Sequence, residues 1–200
     1  MEHYNNWPRV IRQLESLNKH AVAIGFFGEK NSQLLTIVRA NEYGAHIVPK
    51  KGQWLTIPTE NVPIGSDGAP KSAKEIPGLF KPKGKNVLAF SNNDGTLTVM
   101  YYLVKEVNIP SRPFIRLALI ENTEKYKHMI EQGIEDITFN GSNAIKVLTK
   151  LGVTAVADIR KSSITLSKPA NAPATIARKK SSNPLVDTGN LQRSITYRII

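Results

Sequence analysis

The stretch Ile109-Pro110-Ser111-Arg112-Pro113-Phe114-Ile115-Arg116 opens the longest helical pattern in this 200-residue chain, and its reading decides the fold. Pro110 and Pro113 fix φ and lack an N–H. They hold the chain extended and then permit a helix to start, since first-turn amides have no intrahelical partner to lose. Beyond them Phe114, Leu117, Ala118, Tyr126, Met129, Ile130 and Ile137 recur at steps of three and four, with Gly133 as an interruption. A second helix is expected at 142–161. Its stripe is Ala144, Val147, Leu148, Leu151, Ala155, Val156 and Ile159, and Asn140 or Ser142 supplies the side-chain oxygen that caps it.

Upstream, Trp7, Val10, Ile11, Leu14 and Leu17 predict a short amphipathic helix over 7–18, and the apolar run Ala21 to Phe27 predicts a buried strand. Leu34, Ile37, Val38 and Asn41 return to helical spacing, with Gly44 as the stop that glycine makes easily at positive φ. From Pro49 to Gly84 six prolines punctuate lysine- and glycine-rich sequence, which reads as an inserted extended arm with a strand at Trp54 to Pro58 and irregular chain from Val62. Val87–Phe90 and Leu97–Val104 flank an Asp94-Gly95 turn and predict a hairpin. Downstream, 162–183 reads as a flexible basic loop. Asn190 to Ile200 alternates Leu191, Arg193, Ile195, Tyr197 and Ile199 with polar residues, a strand pattern.

Hydrophobic residues at 40% and charged residues at 22% place the chain among folding sequences, and 200 residues suffice for a single domain. Without cysteine there are no disulfides, thiolate metal sites or cysteine nucleophiles, which suits a reducing cytoplasm. The first apolar run is too short for a signal segment or a membrane span, so a soluble protein with no membrane partner is expected. The net charge of +11 is uneven, about +1 over 1–45, +4 over 46–85, zero over 86–150 and +6 over 151–200. Local basic surface suits phosphate or an acidic protein, although no aromatic residue is interleaved with the basic clusters as single-strand binders require.

Catalytic patterns are missing. His3, His20, His46 and His128 have no metal-ligand spacing, no phosphate-binding glycine loop follows a strand, and Gly141-Ser142-Asn143-Ala144 lacks the lysine that contacts phosphates. The acidic residues Glu121, Glu124, Glu131, Glu135 and Asp136 read as the solvated face of a helix beside Lys125 and Lys127. No Gly-x-Ser-x-Gly elbow occurs. Asp187-Thr188-Gly189 also marks aspartic proteases, but the second catalytic aspartate such an enzyme needs has no equivalent loop here. No enzyme and no cofactor are expected.

Three segments in order resemble the tail-completion and head–tail connector family of tailed bacteriophages, which includes virion morphogenesis and minor capsid proteins. They are Val38-Arg39-Ala40-Asn41-Glu42-Tyr43-Gly44, Ile109 to Arg116, and Pro184-Leu185-Val186-Asp187-Thr188-Gly189-Asn190-Leu191-Gln192-Arg193-Ser194-Ile195. Each has a conformational reading. Phe114 anchors the long helix, Arg112 is free to pair with a carboxylate such as Glu42, and Asp187 suits an Asx-type turn in which Gly189 takes positive φ.

The resemblance implies an α+β fold, an antiparallel sheet of about four or five strands packed by two long helices. It also implies a structural virion protein that forms a ring, a hexamer or dodecamer, at the neck and joins the tail to the DNA-filled head. Expected partners are the chain itself, a portal-side head-completion protein, and a tail terminator or tail tube protein, with assembly in the host cytoplasm. The motif residues Asn41, Glu42, Tyr43, Gly44, Pro110, Arg112, Pro113, Phe114, Asp187, Thr188 and Gly189 would be scaffold. Candidate partner or DNA contacts are Lys50, Lys51, Lys81, Lys83, Lys85, Arg178, Lys179 and Lys180, on the arm and the basic loop. The competing readings are a tail terminator or minor capsid protein and, in another class, a stand-alone basic DNA-binding protein.

Overall fold

A computed structural model describes residues 6–28, 33–66, 68–179 and 181–200. The chain is α+β, with two long helices at its centre: α3 (Phe114–Phe139) and α4 (Ala144–Thr165), which pack along each other. The preceding elements are α1 (Trp7–Lys19), β1 (Val22–Gly25), α2 (Gln33–Tyr43), β2 (Ala45–Ile47), β3 (Leu55–Pro58), β4 (Val87–Ser91), β5 (Leu97–Val104) and β6 (Val107–Ile109); α5 (Pro173–Lys179), α6 (Asn190–Arg193) and β7 (Thr196–Ile199) follow.

Among the described residues the strands are all antiparallel, and they divide among three sheets rather than gathering in one of four or five: β1 with β7, β2 with β6, and β3-β5-β4. The division follows from connectivity. The β2–β6 ribbon pairs Ala45 with Ile109 and Ile47 with Val107, so residues 48–106 leave and re-enter the fold at neighbouring points and keep their own sheet.

Gly133 does not interrupt α3, which runs unbroken through it. A Cβ there would collide with the methyls of Val147, so glycine serves the close approach of α3 and α4 instead. Gly152 does the same on α4, where the ring of Tyr197 from β7 covers it. The cap of α4 is Asn143, whose Oδ1 accepts from Lys146 N at 2.9 Å; Asn140 instead ends α3. α1 seals this end of the pair, with Val10 against Ile137 and Val147, and Gln13 Oε1 accepting from Ala144 N at 3.0 Å.

The segment 162–183, expected to be a flexible loop, is partly helical. α4 continues to Thr165 with Ser162 and Ser163 buried, the Ser163 hydroxyl donating to Arg160 O at 2.7 Å, and α5 forms further along the expected basic loop. The described residues from 62 to 84 are irregular as expected, apart from a single 3-10 turn at Ala73–Glu75, and they pack on the hairpin: Val62, Met100 and Tyr101 make a small core that Ala73, Ile76, Leu79, Leu88 and Phe90 pack against. A register shift between Leu88 and Ala89 breaks strict alternation along the hairpin, and neighbouring Met100 and Tyr101 are both buried there. The predicted hairpin turn is present, with Gly95 at φ 77° and the Asp94 carboxylate accepting from the backbone and hydroxyl of Thr96, bonds that hold its pKa below the ordinary value. At the C-terminal end, residues 190–193 form a helical turn and the strand begins at Thr196, shorter than the alternation predicts.

Candidate functional site

The three motif segments, separated by about 70 residues each, converge on one hydrophobic cluster. Val38 from the first, Phe114 from the second and Leu185, Leu191 and Ile195 from the third are buried together, joined by Ala118, Val156 and Ile159. Phe114 is completely buried and meets Phe26 edge to face at 6.3 Å between centroids. Burial of this order contributes about 1.5–3 kcal/mol per large side chain and fixes where α3 begins.

The start of α3 shows how the polar motif residues are used. Pro113, at φ −77° and ψ 60°, is the centre of an inverse γ-turn in which Phe114 N donates to Arg112 O at 2.8 Å. Such an entry offers no side-chain oxygen to the first free amides of the helix. Glu42, at the end of α2, supplies them: its buried carboxylate accepts from Ile115 N at 3.1 Å and Arg116 N at 3.2 Å. A carboxylate at a helix N-terminus satisfies orphan donors and faces the positive end of the dipole. The Arg116 guanidinium completes the arrangement, donating from Nε to Glu42 Oε1 at 3.0 Å and to Glu42 O at 2.7 Å, while it lies 4.9 Å from the ring centroid of exposed Tyr43.

The expected pairing of Arg112 with Glu42 therefore does not occur. Arg112 lies before the helix and turns toward the segment after α4, donating to Pro169 O at 2.8 Å, Ala170 O at 3.0 Å, Asn171 Oδ1 at 3.2 Å and Asn41 Oδ1 at 3.3 Å. It is a buried cation held by carbonyls and amides, and burial lowers its pKa from the ordinary value. Gly44 has φ 79°, and a Cβ would sit 3.0 Å from Ile109 O and 3.1 Å from Ser111 N, so the position needs glycine on two counts. Pro110 is exposed at the end of β6.

In the third motif the Asx-type turn belongs to Asn183 rather than Asp187. Asn183 Oδ1 accepts from Leu185 N and Val186 N, both at 3.0 Å, and exposed Asp187 and Thr188 lead to Gly189 at φ 76°, which opens α6. A cleft of about 240 Å³ between α2 and this loop is lined by Ile37, Asn41, Lys179, Asp187, Gly189 and Gln192, among others. Several linking residues carried no signal in the sequence. Arg160 donates to Gln192 O and Ile195 O, each at 3.0 Å, and Arg9 donates to Ile137 O and Ser142 O, each at 3.0 Å. Each binds carbonyls contributed by another segment, so only the folded chain identifies them.

The basic candidates separate into two kinds. Lys50, Lys51, Lys81, Lys83 and Lys85 are exposed, and Arg178 is exposed beside a cleft of about 390 Å³ shared with Lys71, Thr56, Ser72 and Tyr101. Lys179, by contrast, is turned inward, donating to Asn183 O at 3.1 Å and Pro184 O at 3.3 Å, so its ammonium closes the loop and does not reach out from it. Burial lowers its pKa, opposed by Asp187 and reinforced by Arg112 and Arg178. Lys180 lies outside the described residues. The folded chain also places aromatic surface at the basic patch: Lys81 Nζ stands 4.8 Å from the Trp54 ring centroid, and neighbouring Phe80 is exposed.

Among the described residues no group of three or more His, Asp or Glu could hold a metal ion, and no helix is long and apolar enough to cross a membrane. The chain matches no family model, no curated protein and no solved structure.

Proposed function

We propose that this chain is a structural, non-enzymatic subunit of a tailed-phage particle. Within that class it is the neck protein that closes into a ring, completes the tail and joins it to the DNA-filled head, with a portal-side head-completion protein on one face and a tail terminator or tube protein on the other. The observation that supports this reading is the convergence of the three family-like segments on one cluster, Val38 with Phe114 with Leu185, Leu191 and Ile195. The motif charges also have conformational uses: Glu42 caps α3 and Arg112 ties down 169–171, so neither is held free for chemistry.

Deleting the gene from its phage tests the reading. The expected result is filled heads beside unattached tails, with purified protein forming rings by negative-stain microscopy and restoring joining when added back. Complete, infectious particles from the deletion would overturn it. One observation favours a stand-alone nucleic-acid binder, the Lys81–Trp54 pair on a lysine-rich arm. Tight DNA binding by the monomer with a steep salt slope would support that alternative.

A further inference from the structure

Two surfaces of this chain carry opposite charge, and each has apolar residues among its charged ones. The first is the outer stripe of α3. Positions 120, 124, 127, 131 and 134 share a face at helical spacing, on the far side of the helix from buried Ala118 and Gly133. Ile120 is 70% exposed and Ile134 41%, and exposed Glu121, Glu124, Glu131 and Glu135 surround them. The cations of the helix are largely committed: Arg116 to Glu42, and Lys125 to Asp158 at 2.6 Å. Lys127, 3.9 Å from Glu124, remains on the stripe, which is net acidic.

The second surface is the arm. Lys50, Lys51, Lys71, Lys74, Lys81, Lys83 and Lys85 are all exposed, with Ile64 59% and Phe80 41% exposed between them. Of the acids in this segment, Glu75 accepts from Ser72 N at 2.6 Å, within its own turn. The arm packs around Val62, Met100 and Tyr101, whereas α3 belongs to the clusters of Phe114 and Ile137.

We infer that the lysine-rich arm of one copy docks on the acidic outer stripe of α3 in the next copy. The inference rests on the ring reading and names its interface. Charge complementarity within one sequence selects a second copy as occupant, since each patch supplies what the other lacks. Because the two patches differ, the contact is heterologous and propagates head to tail, which is the geometry a closed ring requires. Ile64 and Phe80 would meet Ile120 and Ile134, removing exposed apolar surface from water on both sides.

Charge reversal on each face provides the test. K81E/K83E/K85E makes the arm acidic, and E124K/E131K/E135K makes the stripe basic; every position is exposed, so both variants should keep the wild-type circular dichroism melt. Each variant alone is expected to lose self-association by analytical ultracentrifugation. An equimolar mixture should regain it, because each altered face then meets a complementary one. Variants that assemble like wild type would overturn the interface and leave the ring reading standing. So would loss without rescue on mixing, or a lysine variant that loses DNA binding while assembling normally. A wild-type chain that stays monomeric at every concentration and on neck-bearing particles would overturn the ring reading together with the interface. Should a triple variant unfold, K83E and E131K alone are mixed in the same way.

Discussion

Around Phe114 two charged residues are buried and each has named partners: Glu42 holds two amides and the guanidinium of exposed Arg116, and Arg112 donates to four oxygens. Across the arm, from Lys50 to Lys85, the lysines stand in solvent over a core of three buried residues. The first region spends its polar groups on fixing the backbone, and removing any of them leaves a buried orphan that is costly. The second keeps its charges available, so substitution there should leave the fold nearly intact. The difference separates the part of the chain whose charges fix its backbone from the part whose charges face solvent.

The largest effect should come from Phe114→Ala, which opens a cavity at the meeting point of the three motifs and should lower unfolding stability by about 3–5 kcal/mol in urea titrations. A loss below roughly 1 kcal/mol would break the claim that this cluster organises the fold. Next, Glu42→Gln should cost about 2–3 kcal/mol, since a neutral amide cannot serve two N–H donors and Arg116 together. Hydrogen exchange should then show weakened protection in the first turn of α3. Tyr101→Phe, in the β5 strand on which the arm packs, removes the hydroxyl's bond to Lys71 O and should cost about 1 kcal/mol. Lost protection should be confined to residues 55–104, and its spread into α3 would mean that the two regions are not energetically separate.

The smallest effect is a pH dependence. Burial, together with Asp158, raises the pKa of Tyr126 above its ordinary 10.0. The unfolded chain therefore releases this proton first, and the contribution of Tyr126 is fully present below about pH 10 and lost as pH rises toward the folded value. Tyr126→Phe should remove that part of the alkaline decline, read as a flatter stability curve than wild type above pH 10.

The periodic elements were legible in the sequence. The stripes of α3 and α4, the hairpin around Asp94-Gly95 and the stop at Gly44 depend on near neighbours, and those the sequence displays. Partner choice over long separations was not legible. Arg112 and Glu42 look like a pair, yet the γ-turn at Pro113 turns Arg112 away and leaves Arg116, within the first turn of α3, to reach the carboxylate. Asn183 takes the turn role that Asp187 suggests, and Gly133 marks a crossing where a breaker is the local expectation. Trp54 and Lys81 are 27 positions apart, so a scan for interleaved aromatics passes over them.

The β2–β6 ribbon gives the arm an unusual freedom. Because Ala45 and Ile109 pair, the loop closed between Glu42 and the start of α3 has its ends fixed by the ribbon and not by anything in the arm. Loop-closure entropy grows only as the logarithm of length, about 0.6 kcal/mol for each doubling. An insertion, a deletion or an exchanged module between residues 48 and 106 would therefore barely register at the cap of α3. In engineering terms the ribbon is a graft point, at which the intervening segment could be exchanged while the scaffold stays unchanged.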